Sequence, residues 1–380
     1  MRLSRLWLQD FRSYTDLELD LDDGLTAIVG PNGVGKTNLL EAIGLLATLK
    51  SFRGAPTESL VRRGAERAVV RAEGTRDDRE VLIELEVGSR KTRAQVNRQR
   101  LQRARDLLGA LRITVFAPDD LALVKEGPSV RRGYLDDVAV AIDPRFDAPL
   151  RDLDRILRQR NALLRQSHGR LDEAGEATLE VWDAKLVSTG TAVTERREQL
   201  VERILPHIER SYEILAGRPV PVSATYERSW PQDTLVEALA AERATDIRRG
   251  VTSVGPHRDE LNLGLDGLSA RTEASQGEQR TLALALRLAG HLLVTEVVGE
   301  PPLLLLDDVL SELDPGRSTA LLSNLPPGQT VITSASDLPP DAIPDRLLRF
   351  GPDGVASPDG ESSRVSPPAE RRLPEGEASE

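Results

Sequence analysis

Residues 30–37, Gly30-Pro31-Asn32-Gly33-Val34-Gly35-Lys36-Thr37, place three glycines, a lysine and a threonine at the spacing G-x-x-x-x-G-K-[ST]. Such a loop does phosphate chemistry. The glycines let the backbone curl so that several N–H groups point at one anion, at the positive end of a helix dipole. Lys36 is expected to reach the β- and γ-phosphates of ATP and Thr37 to place its hydroxyl on Mg²⁺, with Asn38 completing the nucleotide-contacting set. Far downstream, Leu303 to Leu306 lead into Asp307-Asp308, an apolar strand ending in two carboxylates. Asp307 would hold Mg²⁺ directly or through water, and Asp308 would orient or deprotonate an attacking water, with Lys36 as the third catalytic candidate. Ser275-Gln276-Gly277-Glu278-Gln279 precedes a long apolar helical pattern, and SELD at 311–314 follows the carboxylate pair. A serine and a glycine amide at a helix N-terminus suit a γ-phosphate, so Ser275 and Gly277 join the candidate nucleotide contacts, with Gln279 and Asp314 as further candidates.

These groups need elements to hold them. Leu25–Val29 reads as a short buried strand entering the loop, and Leu39, Leu40, Ile43 and Leu46 recur at helical spacing after it. Residues 1–24 alternate apolar and polar side chains as two strands, and two further strand-like segments follow within 50–74 and 80–88, which fits an antiparallel subsheet. Residues 111–138 read as a strand ending at Pro118 and a helix capped by Asp119 or Asp120. From Pro144 to about Ala216, stripes such as Leu150, Leu153, Ile156, Leu157 and Leu179, Trp182, Leu186, Val193, Leu200, Ile204 predict a helical hairpin with its tip at Ser167-His168-Gly169. Two helices of about 24 residues or more would each extend about 36 Å or further. Thr281–Val298 carries Arg287, His291 and Glu296, so it reads as a buried helix and not a membrane span. Residues 352–380, rich in Pro, Ser, Glu and Gly, are expected to form a disordered tail.

The charge balance is uneven. With a formal net charge of −11, the chain as a whole is a poor match for nucleic acid. Yet 90–105 holds Arg90, Lys91, Arg93, Arg98 and Arg100, then Arg103 and Arg105, and no acid. Two readings stand: contacts to a DNA phosphate backbone, or a solvated charged edge strand that resists aggregation. The absence of cysteine excludes disulfides and thiolate metal sites and fits a cytoplasmic compartment. The opening MRLSRLWLQDF is too charged for a signal peptide. At 380 residues, about two domains are expected.

The motif order FRSY, GPNGVGKTNLLEAI, FAPDDLALVKEGPSVRRGYLD, GPHRDE, ASQGEQR and LLLLDDVLSELD resembles the RecF family of recombination-mediator ATPases, relatives of SMC heads. The 274–280 stretch is similar to the LSGGQ signature of ATP-binding-cassette ATPases, with Ala274 where leucine is usual. The resemblance implies an α/β ATPase head of the ABC/SMC type with an inserted helical hairpin: 1–127 and 251–351 as the head, and 128–250 as a helical arm. It implies Mg²⁺ and ATP as ligands, and an ATP-dependent homodimer in which each signature faces the partner's nucleotide. It further implies binding to double-stranded, gapped or junction DNA, and action with RecO and RecR in loading RecA for repair, replication restart and the SOS response. Asp308 stands where a glutamate is usual, and no histidine follows the strand at 329–336, where Thr333 or Ser334 could substitute. Slow hydrolysis used as a timer is therefore expected, against the alternative of a non-hydrolysing ATP-gated clamp. A transporter subunit shares the motifs but usually holds them closer together.

Overall fold

Leucines at alternate positions from residue 3 onward have one face to bury, and they bury it in a sheet. The computed structural model describes residues 2–76, 78–88, 91–339, 342–351 and 354–356. Strand β1 (Arg2–Phe11) pairs antiparallel with β2 (Tyr14–Asp20) and with β4 (Arg67–Arg76); β5 (Arg79–Gly88), β6 (Thr92–Val96) and β7 (Gln99–Arg100) extend the sheet in the order β2-β1-β4-β5-β6-β7. Register keeps one face apolar: Leu6 lies opposite Leu19 and Ala72, Leu8 opposite Leu17 and Val70, and Ile83 opposite Ala72 and Val96. On the other face, charges pair across strands, as Arg71 with Glu84 and Arg93 with Glu86.

A second sheet has the order β15-β14-β3-β13-β12-β8, built from β3 (Leu25–Val29), β8 (Ile113–Phe116), β12 (Leu303–Asp307), β13 (Thr330–Ser334), β14 (Arg346–Gly351) and β15 (Gly354–Ala356). β3 is parallel to β13 and β14, and β12 to β13. Every residue of Leu303–Asp307 is buried, as the unbroken apolar run requires of a strand covered on both faces. Helix α1 (Lys36–Thr48) packs on strands of both sheets, which is why it is apolar almost all round, with ten buried residues. Within the expected tail, Gly354–Ala356 is a strand antiparallel to β14; 352, 353 and 357–380 lie outside the described residues, as does Arg90.

The chain divides into two compact units, one of residues up to 115, 303–311 and from 328 on, the other of 116–302 and 312–327. The expected boundaries at 128 and 250 fall inside the second unit. Its elements are α2 (Ala122–Lys125), α3 (Pro128–Ile142), α4 (Asp147–Gln166), α5 (Glu173–Ala216), β9 (Val222–Glu227), α6 (Leu235–Arg249), β10 (Glu260–Leu265), β11 (Leu268–Ser269), α7 (Gln276–Val298) and α8 (Pro315–Ser323). The hairpin is asymmetric: α4 has 20 residues and α5 has 44, about 66 Å at 1.5 Å per residue. α5 runs through Pro206 without ending and packs along α7 as well as α4. That packing draws 251–302 into the unit with the hairpin. By length and composition α7 could cross a bilayer, but 67% of its most apolar window is buried. Asp120 does not cap from the first position: it sits third in a 3₁₀ turn, reaches back to the Ala117 N–H at 2.9 Å and ion-pairs with Arg287.

The 255–260 motif is a buried clamp. Asp259 is fully buried and accepts from the Tyr226 hydroxyl at 2.6 Å and the Ser229 N–H at 2.9 Å, while its carbonyl accepts from Arg132. Glu260 ion-pairs with Arg131 at 2.8 Å, and the Pro256 carbonyl accepts from Arg197, which is paired with Asp136. One turn thereby ties α3, α5, β9 and β10 together. A second buried group joins the helices: Arg160 of α4 binds Asp183, Asp246 and Thr252 at 2.7–2.8 Å.

Burial sets the unit's response to acid. His257 and His291 are each pushed down to about 4, chiefly by burial, so both are neutral in the fold. In an unfolded chain they protonate near 6.5. Stability is full above the unfolded value and falls as pH drops toward the folded one; at pH 5 each histidine should remove about 2 kcal/mol. Urea unfolding at pH 7.5 and pH 5 should show this loss, and a His257→Gln variant should roughly halve the histidine part of it.

Candidate nucleotide site

The phosphate loop closes where β3 hands over to α1. Gly35 sits just before the helix with φ 106°, and a Cβ there would come within 2.8 Å of the Tyr14 hydroxyl, which itself donates to the Gly35 carbonyl at 3.0 Å. At Gly30 a Cβ would meet the Phe350 carbonyl oxygen at 2.3 Å, so β14 runs too close for any side chain. The start of α1 has no side-chain cap and no acid in its first turn. Its free N–H groups and dipole therefore face outward for an anion.

Around this start lies a cavity of about 210 Å³ lined by Asn32, Gly33, Gly35, Lys36, Thr37, Asn38, Arg53, Asp308 and Thr333. Lys36 is 6% exposed, and its ammonium donates to the carbonyls of Gly30 at 2.7 Å and Pro31 at 3.0 Å. Burial lowers its pKa, while Asp308 and Asp307 pull it the other way. One Asp307 oxygen accepts from the hydroxyls of Thr37 at 2.9 Å and Thr333 at 2.8 Å. Its pKa is raised by burial against those two hydrogen bonds. Thr333 also accepts from the Asp308 N–H at 3.0 Å, so it ties the Asp307 carboxylate and the Asp308 backbone to β13. Ser334 instead offers its carbonyl to the Gly30 N–H at 3.2 Å and its hydroxyl to the Ser336 N–H. Of the two candidates for the histidine's place, Thr333 is the one in the cavity. Asp308 has φ 49°, a left-handed conformation that aspartate tolerates and that recurs where a side chain must be aimed.

Thr37 and Asp307 meet as the two protein groups a Mg²⁺ ion would need, since that ion takes one or two protein ligands and completes its shell with phosphate oxygens and water. Among the described residues no cluster of three or more acidic or histidine side chains could hold a metal on its own.

Loops 30–38, 307–308 and 333 are thus brought together in the first unit, whereas Ser275, Gly277, Gln279 and Asp314 belong to the second. Ser275 caps α7, its hydroxyl accepting from the Glu278 N–H and donating to the Glu278 carboxylate, which returns to the Ser275 N–H at 2.9 Å. These bonds hold the Glu278 pKa down. Gly277 leaves room for Arg317, whose guanidinium would lie 3.0 Å from a Cβ. Gln279, expected to contact nucleotide, is 5% exposed here, and its amide donates to the Ala270 and Arg271 carbonyls at 3.0 Å. Asp314 caps α8 and pairs with Arg317. Arg53, in contrast, had no motif to announce it, only its place in the KSFRG stretch after the phosphate-loop helix.

The basic hairpin is real. Asn97 and Arg98 form a two-residue turn with φ 50° and 65° between β6 and β7. Lys91, Arg93, Arg98 and Arg100 are all exposed, and Arg93 is paired with Glu86 at 2.9 Å.

Fold and site together define the head of an SMC-type ATPase, and the family described as RecF/RecN/SMC N terminal domain matches residues 2–335. Two similar proteins are each a DNA replication and repair protein RecF. That of Streptomyces avermitilis is 44% identical over 350 residues, covering 88% of this chain and 94% of its own. That of Frankia alni is 45% identical over 369 residues, covering 92% and 97%. A solved structure of the recombination mediator protein RecF with ATPrS in the RecFOR pathway superposes with a TM-score of 0.86 at 31% identity, covering 93% of this chain and 97% of that one. An SMC head bound to the C-winged helix domain of ScpA shares the fold at TM-score 0.56 and 17% identity. The chain belongs to the RecF family of DNA replication and repair proteins.

Proposed function

We propose that the chain binds Mg–ATP in the 210 Å³ cavity, dimerises on it, and binds DNA while the dimer lasts. The observation that carries this is the uncapped start of α1 beside the Lys36, Thr37, Asp307 and Thr333 network. Phosphates would take the free N–H groups, and Lys36 would exchange two carbonyls for phosphate oxygens, a stronger charge-assisted bond. Mg²⁺, held by Thr37 and Asp307, would supply charge neutralisation at the β- and γ-phosphates. Asp308 is placed to orient or deprotonate water, and Arg53 to balance charge beside it. The Ser275 turn of a second copy would complete the site. In the cytoplasm, such a dimer would act at gaps and junctions with RecO and RecR to load RecA, in repair and SOS induction, as the solved RecF structures' RecFOR setting supports. Sizing of the full chain should give a dimer with Mg–ATP and a monomer with ADP. A monomer under both conditions would overturn the reading.

The basic hairpin is the proposed DNA contact. A non-glycine residue at the left-handed second position of such a turn costs roughly 1–2 kcal/mol, and Arg98 occupies it nonetheless. Arg98→Gly should therefore leave stability within about 1 kcal/mol of wild type while weakening DNA binding and reducing its salt slope by about 1. A salt titration of DNA affinity, paired with a thermal melt, checks both halves.

A further inference from the structure

Glu41 lies on α1 one turn past Lys36 and is fully buried in the first unit. A carboxylate so placed must have every oxygen engaged, and here the partners come from two different loops. Arg12 binds it with Nε and Nη2, both at 2.7 Å, and its remaining arm donates to the Ser59 carbonyl at 2.9 Å. The Ser51 hydroxyl donates to the same carboxylate. Arg12 opens a turn whose next residues touch the phosphate loop: Ser13 accepts from Asn38 at 3.0 Å, and Tyr14 donates to the Gly35 carbonyl. Ser51 in turn accepts from the Arg53 N–H at 3.1 Å, and Arg53 lines the cavity, where its charge acts on Asp307. Neutralising Glu41 needs only Arg12. The Ser51 branch has a different consequence: it fixes the backbone from which Arg53 reaches the site.

We propose that Glu41 is a positioning residue, which through Ser51 fixes the backbone from which Arg53 lines the cavity and through Arg12 sets the turn that backs Gly35. For its kinetic consequence this role rests on the Mg–ATP reading above; its structural consequence is independent of it. Five full-length chains test it: wild type, Ser51→Ala, Arg53→Ala, the Ser51→Ala/Arg53→Ala double variant and Glu41→Gln, followed by single-turnover hydrolysis of bound Mg–ATP, ATP affinity, and hydrogen exchange over residues 50–54 without nucleotide.

Ser51→Ala should slow hydrolysis by about 10-fold or more, as a misplaced charged group does, with ATP affinity within about twofold of wild type. The double variant should be no slower than Arg53→Ala, because Ser51 acts through Arg53. Exchange over 50–54 should rise in Ser51→Ala and in Glu41→Gln. Should Glu41→Gln fail to fold, Ser51→Ala still decides. Unchanged exchange over 50–54, or rate losses that multiply in the double variant, would overturn the role. If wild type itself hydrolyses nothing, the ATPase reading fails, and the exchange result alone supports or removes the positioning role.

Discussion

Lys36→Met removes ATP binding and, with it, ATP-dependent dimerisation. The wild-type lysine is buried as a residue, 6% exposed, and its ammonium is held by the carbonyls of Gly30 and Pro31. Methionine fills the same channel without the charge. What is lost is the one cation of the loop itself, and charge-assisted hydrogen bonds are worth about 1.5–3 kcal/mol each. Two such bonds to the β- and γ-phosphates set an expected fall in affinity of about 10²–10⁴-fold. The fold should persist, since α1 is anchored by its buried leucines and by Glu41. Calorimetric titration with Mg–ATP and sizing at saturating nucleotide check the two halves. An unchanged ATP-dependent dimer would falsify the assignment of the loop.

The parts of this molecule that were legible in its sequence are those where chemistry and periodicity coincide. The change from the apolar run Leu25–Val29 to helical spacing after Lys36 is visible because a strand and a helix flank a motif that only one geometry satisfies. The antiparallel sheet was legible for the same reason, its alternation surviving in the register of Leu6, Leu8, Val70 and Leu85. The unequal hairpin was not. α5 runs on through Pro206 to Ala216, and Ile204 and Ile208 on either side of it are buried. The expected limits at 128 and 250 differ from those of the compact units, because α7 packs on α5 and the 255–260 turn clamps α3, α5, β9 and β10. Those contacts join residues tens of positions apart and leave no local pattern. Gln279 shows the ambiguity of residue type: an amide suited to a nucleotide serves equally to hold two carbonyls of the preceding turn. Arg53 is the converse, a site residue with no motif, placed by hydrogen bonds that begin at Glu41 and Ser51.

Asp308→Asn should abolish most hydrolysis while sparing ATP binding. The carboxylate lines the cavity, and its backbone is pinned by the bond from its own N–H to Thr333. Asparagine keeps the side chain's shape and is among the residues that accept the left-handed φ of 49° found here. The backbone should therefore stay as it is, and only the charge and the basic lone pairs go. Loss of a general base costs about 10²–10⁴-fold in rate. Affinity should hold or rise, because Asp308 would otherwise face the like charge of a bound triphosphate, and the ATP-bound dimer should persist longer than in wild type. Wild-type turnover well below about 10 per second, the middle of the enzyme range, would fit a timer. A variant with alanine would confound the test by losing the bond that the Asp308 carboxylate accepts from the Ala335 N–H at 3.4 Å, which an asparagine oxygen retains. Single-turnover hydrolysis with Mg–ATP separates the two remaining accounts of this chain: a wild type no faster than Asp308→Asn would make it a clamp that ATP closes and hydrolysis does not open.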